Sequence, residues 1–171
     1  MKKVFLKRAA MAVLASVTIS MTAGAQKKGD MAAGANVTVG TGDHLTNFGL
    51  GGKFQYNVTN PIRLEGAFDY FLKKNHLRMW DISVNGHWLF PAGDKLTAYP
   101  LAGLGVLNYK ASSGFDGYGK YGTSNSDFAF NLGGGLDFKL TDDLVFNAEL
   151  KYKISDVWSR LLLSAGIAYR F

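Results

Sequence analysis

Cysteine is absent from this 171-residue chain, and proline occurs only three times. Without cysteine there are no disulfide staples, no thiol nucleophile and no thiolate metal site. Beyond residue 25 no apolar stretch reaches the ~20 residues a membrane-spanning helix needs. A true basic excess is missing too. The net charge is +6, but Lys2, Lys3, Lys7 and Arg8 supply four of the 19 basic residues, and no acid falls among the first 25. The rest of the chain carries +2 and gives no footing for nucleic-acid binding.

Those first residues have their own logic. A basic start precedes an apolar run from Ala9 to Met21, and Ala23-Gly24-Ala25 supplies small residues at a cleavage pattern. This is the layout of a secretory signal peptide, too short to span a bilayer. The expected division is a signal peptide over 1–25 and a single barrel domain over 26–171.

What the remainder has in abundance is alternation. Strands send successive side chains to opposite faces, so a period of two marks them. Eight such segments are expected, at 31–40, 47–57, 62–72, 78–90, 96–108, 127–140, 144–154 and 160–171. The third sets Ile62, Leu64, Phe68 and Tyr70 against Arg63, Glu65, Ala67 and Asp69. The seventh sets Leu144, Phe146, Leu150, Tyr152 and Ile154 against Asn147, Glu149, Lys151 and Lys153. Pro100 falls inside the fifth. It cannot donate to a ladder, so a bulge or a late start to pairing is expected there. Phe48–Tyr70 and Phe130–Tyr152 also align without gaps, with identities that include Phe48/Phe130, Gly51/Gly133 and Thr59/Thr141.

The direction of each face decides the class. A soluble, lipocalin-like barrel would turn the apolar face inward; a membrane barrel turns it to lipid. Glycines crowd the polar faces, at Gly49, Gly51, Gly103, Gly105, Gly133, Gly135 and Gly166, as a narrow lumen requires. The apolar faces place aromatics near both strand ends with aliphatic residues between, the pattern that two lipid interfaces select. The expected fold is all-β: an eight-stranded antiparallel up-and-down transmembrane β-barrel. Its links alternate between short turns and a second set that includes one long loop, Tyr109–Ser126.

The chain ends Leu161, Leu163, Ala165, Ile167, Tyr169, Phe171 on one face. With the glycine-rich eight-strand pattern, it resembles the small outer-membrane barrels of the outer membrane protein A and X type, a porin-family-like "outer membrane protein beta-barrel domain". Gln26 after the cleavage point and the Lys-rich start resemble exported proteins of Bacteroidetes. The resemblance implies a cell outer membrane location and neighbours that are outer-membrane lipids and lipopolysaccharide. It also implies that Tyr169 and Phe171 form the signal read by the barrel-insertion machinery.

No cofactor, metal or catalytic site is expected. Lys53, Arg63, Glu65, Asp69, Asp81, Asp137, Lys139, Glu149, Lys151, Lys153 and Arg170 face the lumen in this register. In so small a barrel they are expected to pair as a plug. His87, Ser83 and Asp81 share a face, yet Ser83 and His87 stand roughly 13 Å apart along one strand, too far for a triad. His44 and His76, with Asp43 or Asp116, are expected to be solvated loop residues. Tyr109, Phe115, Tyr118 and Tyr121 are candidate contacts for an external protein or glycan. The leading reading is a non-enzymatic protein with a structural or surface-interaction role. A narrow pore for small solutes or ions comes second, and a lipid-modifying enzyme third.

Overall fold

A computed structural model describes residues 27–42, 45–74, 77–115, 118–156 and 159–171. The strands are β1 (Met31–Gly42), β2 (Leu45–Asn57), β3 (Ile62–Lys74), β4 (Leu77–Trp88), β5 (Phe90–Pro91), β6 (Leu96–Phe115), β7 (Tyr118–Lys139), β8 (Leu144–Ser155) and β9 (Arg160–Arg170). β5 is a two-residue continuation of β4, so the wall has eight staves. Each pairs antiparallel with its chain neighbours. β1 pairs with β9 from Ala32↔Arg170 to Thr41↔Leu161, which closes the ring. Closure satisfies the backbone groups internally, the condition for standing in hydrocarbon.

The polarity of the sheet is that of a membrane barrel. Phe48, Leu50, Phe128, Phe130, Leu132, Leu163 and Phe171 are all more than half exposed on the outside. Arg63, Glu65, Asp69, Asp81, Asp137, Glu149 and Lys153 are buried inside. A lipocalin-like interior would reverse this arrangement.

Two hairpins share one turn. In the β2–β3 link the Thr59 hydroxyl accepts the Ile62 N–H at 3.1 Å, and in the β7–β8 link the Thr141 hydroxyl accepts the Leu144 N–H at 3.0 Å. These threonines coincide in the internal alignment, so the echo extends to hydrogen-bond geometry.

Two expectations are corrected. Pro100 makes no bulge: it sits opposite Gly134 in unbroken register with β7. The ladder to the other neighbour stops instead. β4 pairs with β6 as far as His87↔Leu101, β5 resumes at Phe90↔Ala98 in the same register, and the two pairs between, facing Pro100 and Tyr99, are missing. The Leu89 N–H in this gap donates to the Pro61 carbonyl at 2.7 Å. The second correction concerns 109–126. Its described residues, 109–115 and 118–126, are strand rather than loop: β6 and β7 pair from Leu96↔Phe138 to Phe115↔Tyr118, with an irregularity between Ser113 and Phe115. A β-ribbon therefore rises past the rim.

Candidate functional site: the lumen and the outer ribbon

The lumen is filled in layers. Toward the end with the short turns, Arg63 donates from Nη1 to Asp137 Oδ2 at 2.6 Å. Its Nε and Nη2 lie 3.1 and 3.0 Å from His87 Nδ1. The guanidinium also rests over the Tyr99 ring at 4.7 Å, and His87 stacks on that ring at 4.6 Å.

At mid-height, Lys53 Nζ is 2.9 Å from Glu149 and 3.6 Å from Glu65. Lys151 reaches the other Glu149 oxygen at 3.2 Å, and the Tyr99 hydroxyl donates to Glu149 at 2.9 Å. Gln55 and Asn85 donate to Glu65. Higher up, Lys153 pairs with Asp81 at 2.5 Å, while Asp69 accepts from Asn36 and Thr38.

Above these charges Phe71, Met79, Leu107 and Leu162 form a buried apolar cap, and half-buried Tyr109 packs against it. Leu89, Tyr99 and Leu101 make a second apolar cluster on the wall behind Pro100. Glycine makes the packing possible. A Cβ on Gly135 would lie 2.6 Å from the Tyr99 ring and hydroxyl, and one on Gly105 would lie 2.8 Å from Lys153 Nζ.

The residues expected inside are brought together, with two exceptions. Lys139 sits at the mouth, and its ammonium pairs at 2.7 Å with exposed Asp142. Arg170 is half-buried at the same end. Alternation does not single out Arg160, which opens β9. It is buried, with its guanidinium over Phe71 at 4.2 Å. Tyr109, expected as a loop contact, belongs to the cap; Phe115, Tyr118 and Tyr121 fall on the ribbon's strands. His44, His76, Asp43 and Asp116 lie outside the described residues. Tyr169 and Phe171 point outward, 55% and 66% exposed.

His87 belongs to the ion network rather than to a triad with Ser83 and Asp81. Arginine can only donate, so His87 Nδ1 accepts and the ring proton sits on Nε2. This also bears on metals. Glu65, His87 and Glu149 bring potential ligand atoms within 4.8 Å of one another. With Nε2 protonated the histidine has no lone pair to offer, and Lys53 already bridges the two carboxylates. The group does not fit a metal.

Barrel closure, lipid-facing aromatics and a charged, packed lumen define a small membrane barrel of the bacterial outer membrane. The family model "Outer membrane protein beta-barrel domain" matches residues 9–171, and the chain belongs to that family. Outer membrane protein PagN of Salmonella typhimurium is 32% identical over 84 residues, covering 46% of this chain. The match spans 35% of that relative's length. Among solved structures, the N-terminal β-barrel domain of Pseudomonas aeruginosa OprF superposes with a TM-score of 0.69 at 16% identity, covering 85% of this chain and 100% of its own. Ail, the attachment invasion locus protein of Yersinia pestis, gives 0.61 at 22%, covering 84% and 99%. These likenesses share the fold, and the protein is located in the cell outer membrane.

Proposed function

We propose that this is a surface-interaction protein: a plugged barrel that anchors the β6–β7 ribbon outside the cell for an external protein or glycan. The observation that carries this reading is the length of β6 and β7, 20 and 22 residues against 11 to 13 for β1–β4, β8 and β9. The neighbouring staves stop early, β4 at Leu77↔Ala111 and β8 at Ala129↔Ser155. Among the described residues, the outer edge of β7 from Tyr118 to Phe128 has no strand beside it. An open edge offers N–H and C=O groups that an extended partner can pair with. Ail has been solved with the heparin analogue sucrose octasulfate, which favours a sulfated glycan as a ligand to try.

The test is binding of the protein, in lipid nanodiscs, to heparin and to extracellular matrix proteins. A variant lacking 112–121 is the comparison, with heat-modifiable gel migration reporting that it still folds. Binding by the full chain and loss in the shortened one is expected. Equal binding by both would refute the ribbon's role. Residues 1–25 serve as the export signal and 26–171 as the mature barrel, which N-terminal sequencing of the membrane form checks. The buried ion pairs and the apolar cap favour a closed scaffold over a conduit, and no arrangement described above favours catalysis.

A further inference from the structure

The ribbon end of the wall is basic on one side. Trp80 lies half-buried on the lipid face of β4 and stacks on Phe68 at 6.3 Å. The ladders set Tyr70 and Asn108 opposite it. Aromatic side chains of this kind settle at the headgroup level of a bilayer. Arg78 follows on the same face, two residues nearer the outer end of β4. It is exposed and makes no ion pair among the described residues.

The register gathers more cations there. Lys110 of β6 is the Cα partner of Arg78, and β3 ends on Lys73 and Lys74, with Lys74 opposite Leu77. No acid occurs over residues 70–80 or 95–115. Beside Trp80 the face is polar and uncharged, where Asn108 donates to the Ser126 hydroxyl at 2.9 Å. The opposite wall differs. At the outer ends of β8, β9, β1 and β2 the exposed lipid-side residues are Ile154, Leu161, Thr41 and Thr46, and none is charged. Like charges on directly opposed residues destabilise a sheet, so the Arg78–Lys110 pair calls for an anion between them.

We propose that Arg78 and Lys110 form a site for one phosphate of lipid A, the acylated and phosphorylated sugar that anchors lipopolysaccharide. The end opposite the short turns is external in this architecture, so the leaflet at this height is the lipopolysaccharide leaflet. Height argues for a lipid over a soluble anion. Cations immediately above an aromatic girdle meet a headgroup phosphate, while its acyl chains run down the wall over exposed Ile82, Val84 and Val106. Asn108 and Ser126 stand where the sugar hydroxyls would lie. The site belongs to the wall beneath the ribbon, so it does not depend on what the ribbon binds.

The experiment reconstitutes the protein in phosphatidylcholine bilayers containing lipid A, extracts it in mild detergent and counts retained lipid A by native mass spectrometry. Lipid A stripped of its phosphates is the comparison ligand. One phosphorylated lipid A per barrel is expected, with the stripped form retained about ten-fold less. Arg78→Gln and Lys110→Gln should each lower retention about five-fold, and Arg78→Lys should keep most of it. Lys95→Gln, exposed at the periplasmic end, should change nothing. Heat-modifiable migration reports folding, and Lys110→Gln carries the test should Arg78→Gln not fold. Three outcomes would overturn the proposal. They are equal retention of the two forms, retention unchanged in both glutamine variants, and loss of heparin binding in those variants with lipid A retention intact, which would give the cations to a soluble sulfated glycan.

Discussion

Arg63 shows what the lumen demands of a single residue. Its guanidinium is 2% exposed and meets Asp137, His87 and Tyr99 at once. A buried ion pair adds little net stability, yet removing one partner strands the other charge, at a cost of about 3–5 kcal/mol. Arg63→Met alone should therefore lower stability by that order. The double variant Arg63→Met/Asp137→Leu should recover most of the loss. Urea midpoints for folding into lipid vesicles check both; additive losses would show that the pair is not a unit. The sequence made Arg63 legible because it alternates with Ile62 and Leu64. Alternation located Lys139 less well, since the strand's last inward position is already at the mouth, where Asp142 draws the side chain to water. Arg160 went unread because it opens its strand with no polar neighbour two residues on to mark a face. The cap did leave a signal. Phe71-Leu72, Val106-Leu107 and Leu161-Leu162-Leu163 are apolar on both faces, which marks heights where the interior is apolar as well.

At the scale of elements, six staves were legible within two residues at their ends, because one face meets lipid and the other a packed lumen. β6 and β7 were not. Their upper parts are rich in Gly, Ser and Tyr with no apolar face, and nothing but mutual pairing makes them strands. A difference in dynamics follows. Ribbon hydrogen bonds are held by one neighbour and reached by water, whereas wall bonds are held on both sides and shielded by lipid. Amides of 112–115 and 118–124 should exchange with deuterium orders of magnitude faster than those of 101–107 and 131–137, as followed by NMR in nanodiscs. Equal protection would mean that another element covers the ribbon. The last strand carries a separate expectation. Tyr169 and Phe171 face outward beside the closing β1–β9 seam, and the Phe171 N–H donates to the Met31 carbonyl at 3.0 Å. Phe171→Ser should leave spontaneous folding into vesicles nearly intact but sharply reduce the heat-modifiable form in cells, which separates recognition by the insertion machinery from stability.

For the whole molecule the decisive quantity is whether the lumen conducts. Eight strands enclose a space that side chains can fill, and open aqueous channels belong to barrels of about 16. Here two barriers stand in series. An ion entering from the ribbon end meets Phe71, Met79, Leu107 and Leu162, which offer it no hydration. Behind them it meets Lys153–Asp81, then Lys53, Lys151 and Glu149, where any passage must break paired charges in a confined space. The barriers fail for different reasons, so they should be separable. Phe71→Ala/Leu162→Ala opens the cap and should not by itself produce current, because the ion network remains. Lys53→Ala/Glu149→Ala opens the network and should not either, because the cap remains. Only the combination of all four should yield steady single-channel steps in a planar bilayer. Steps from the unaltered protein would show that the cap and network move aside together, and the barrel would then be a gated pore rather than an anchor.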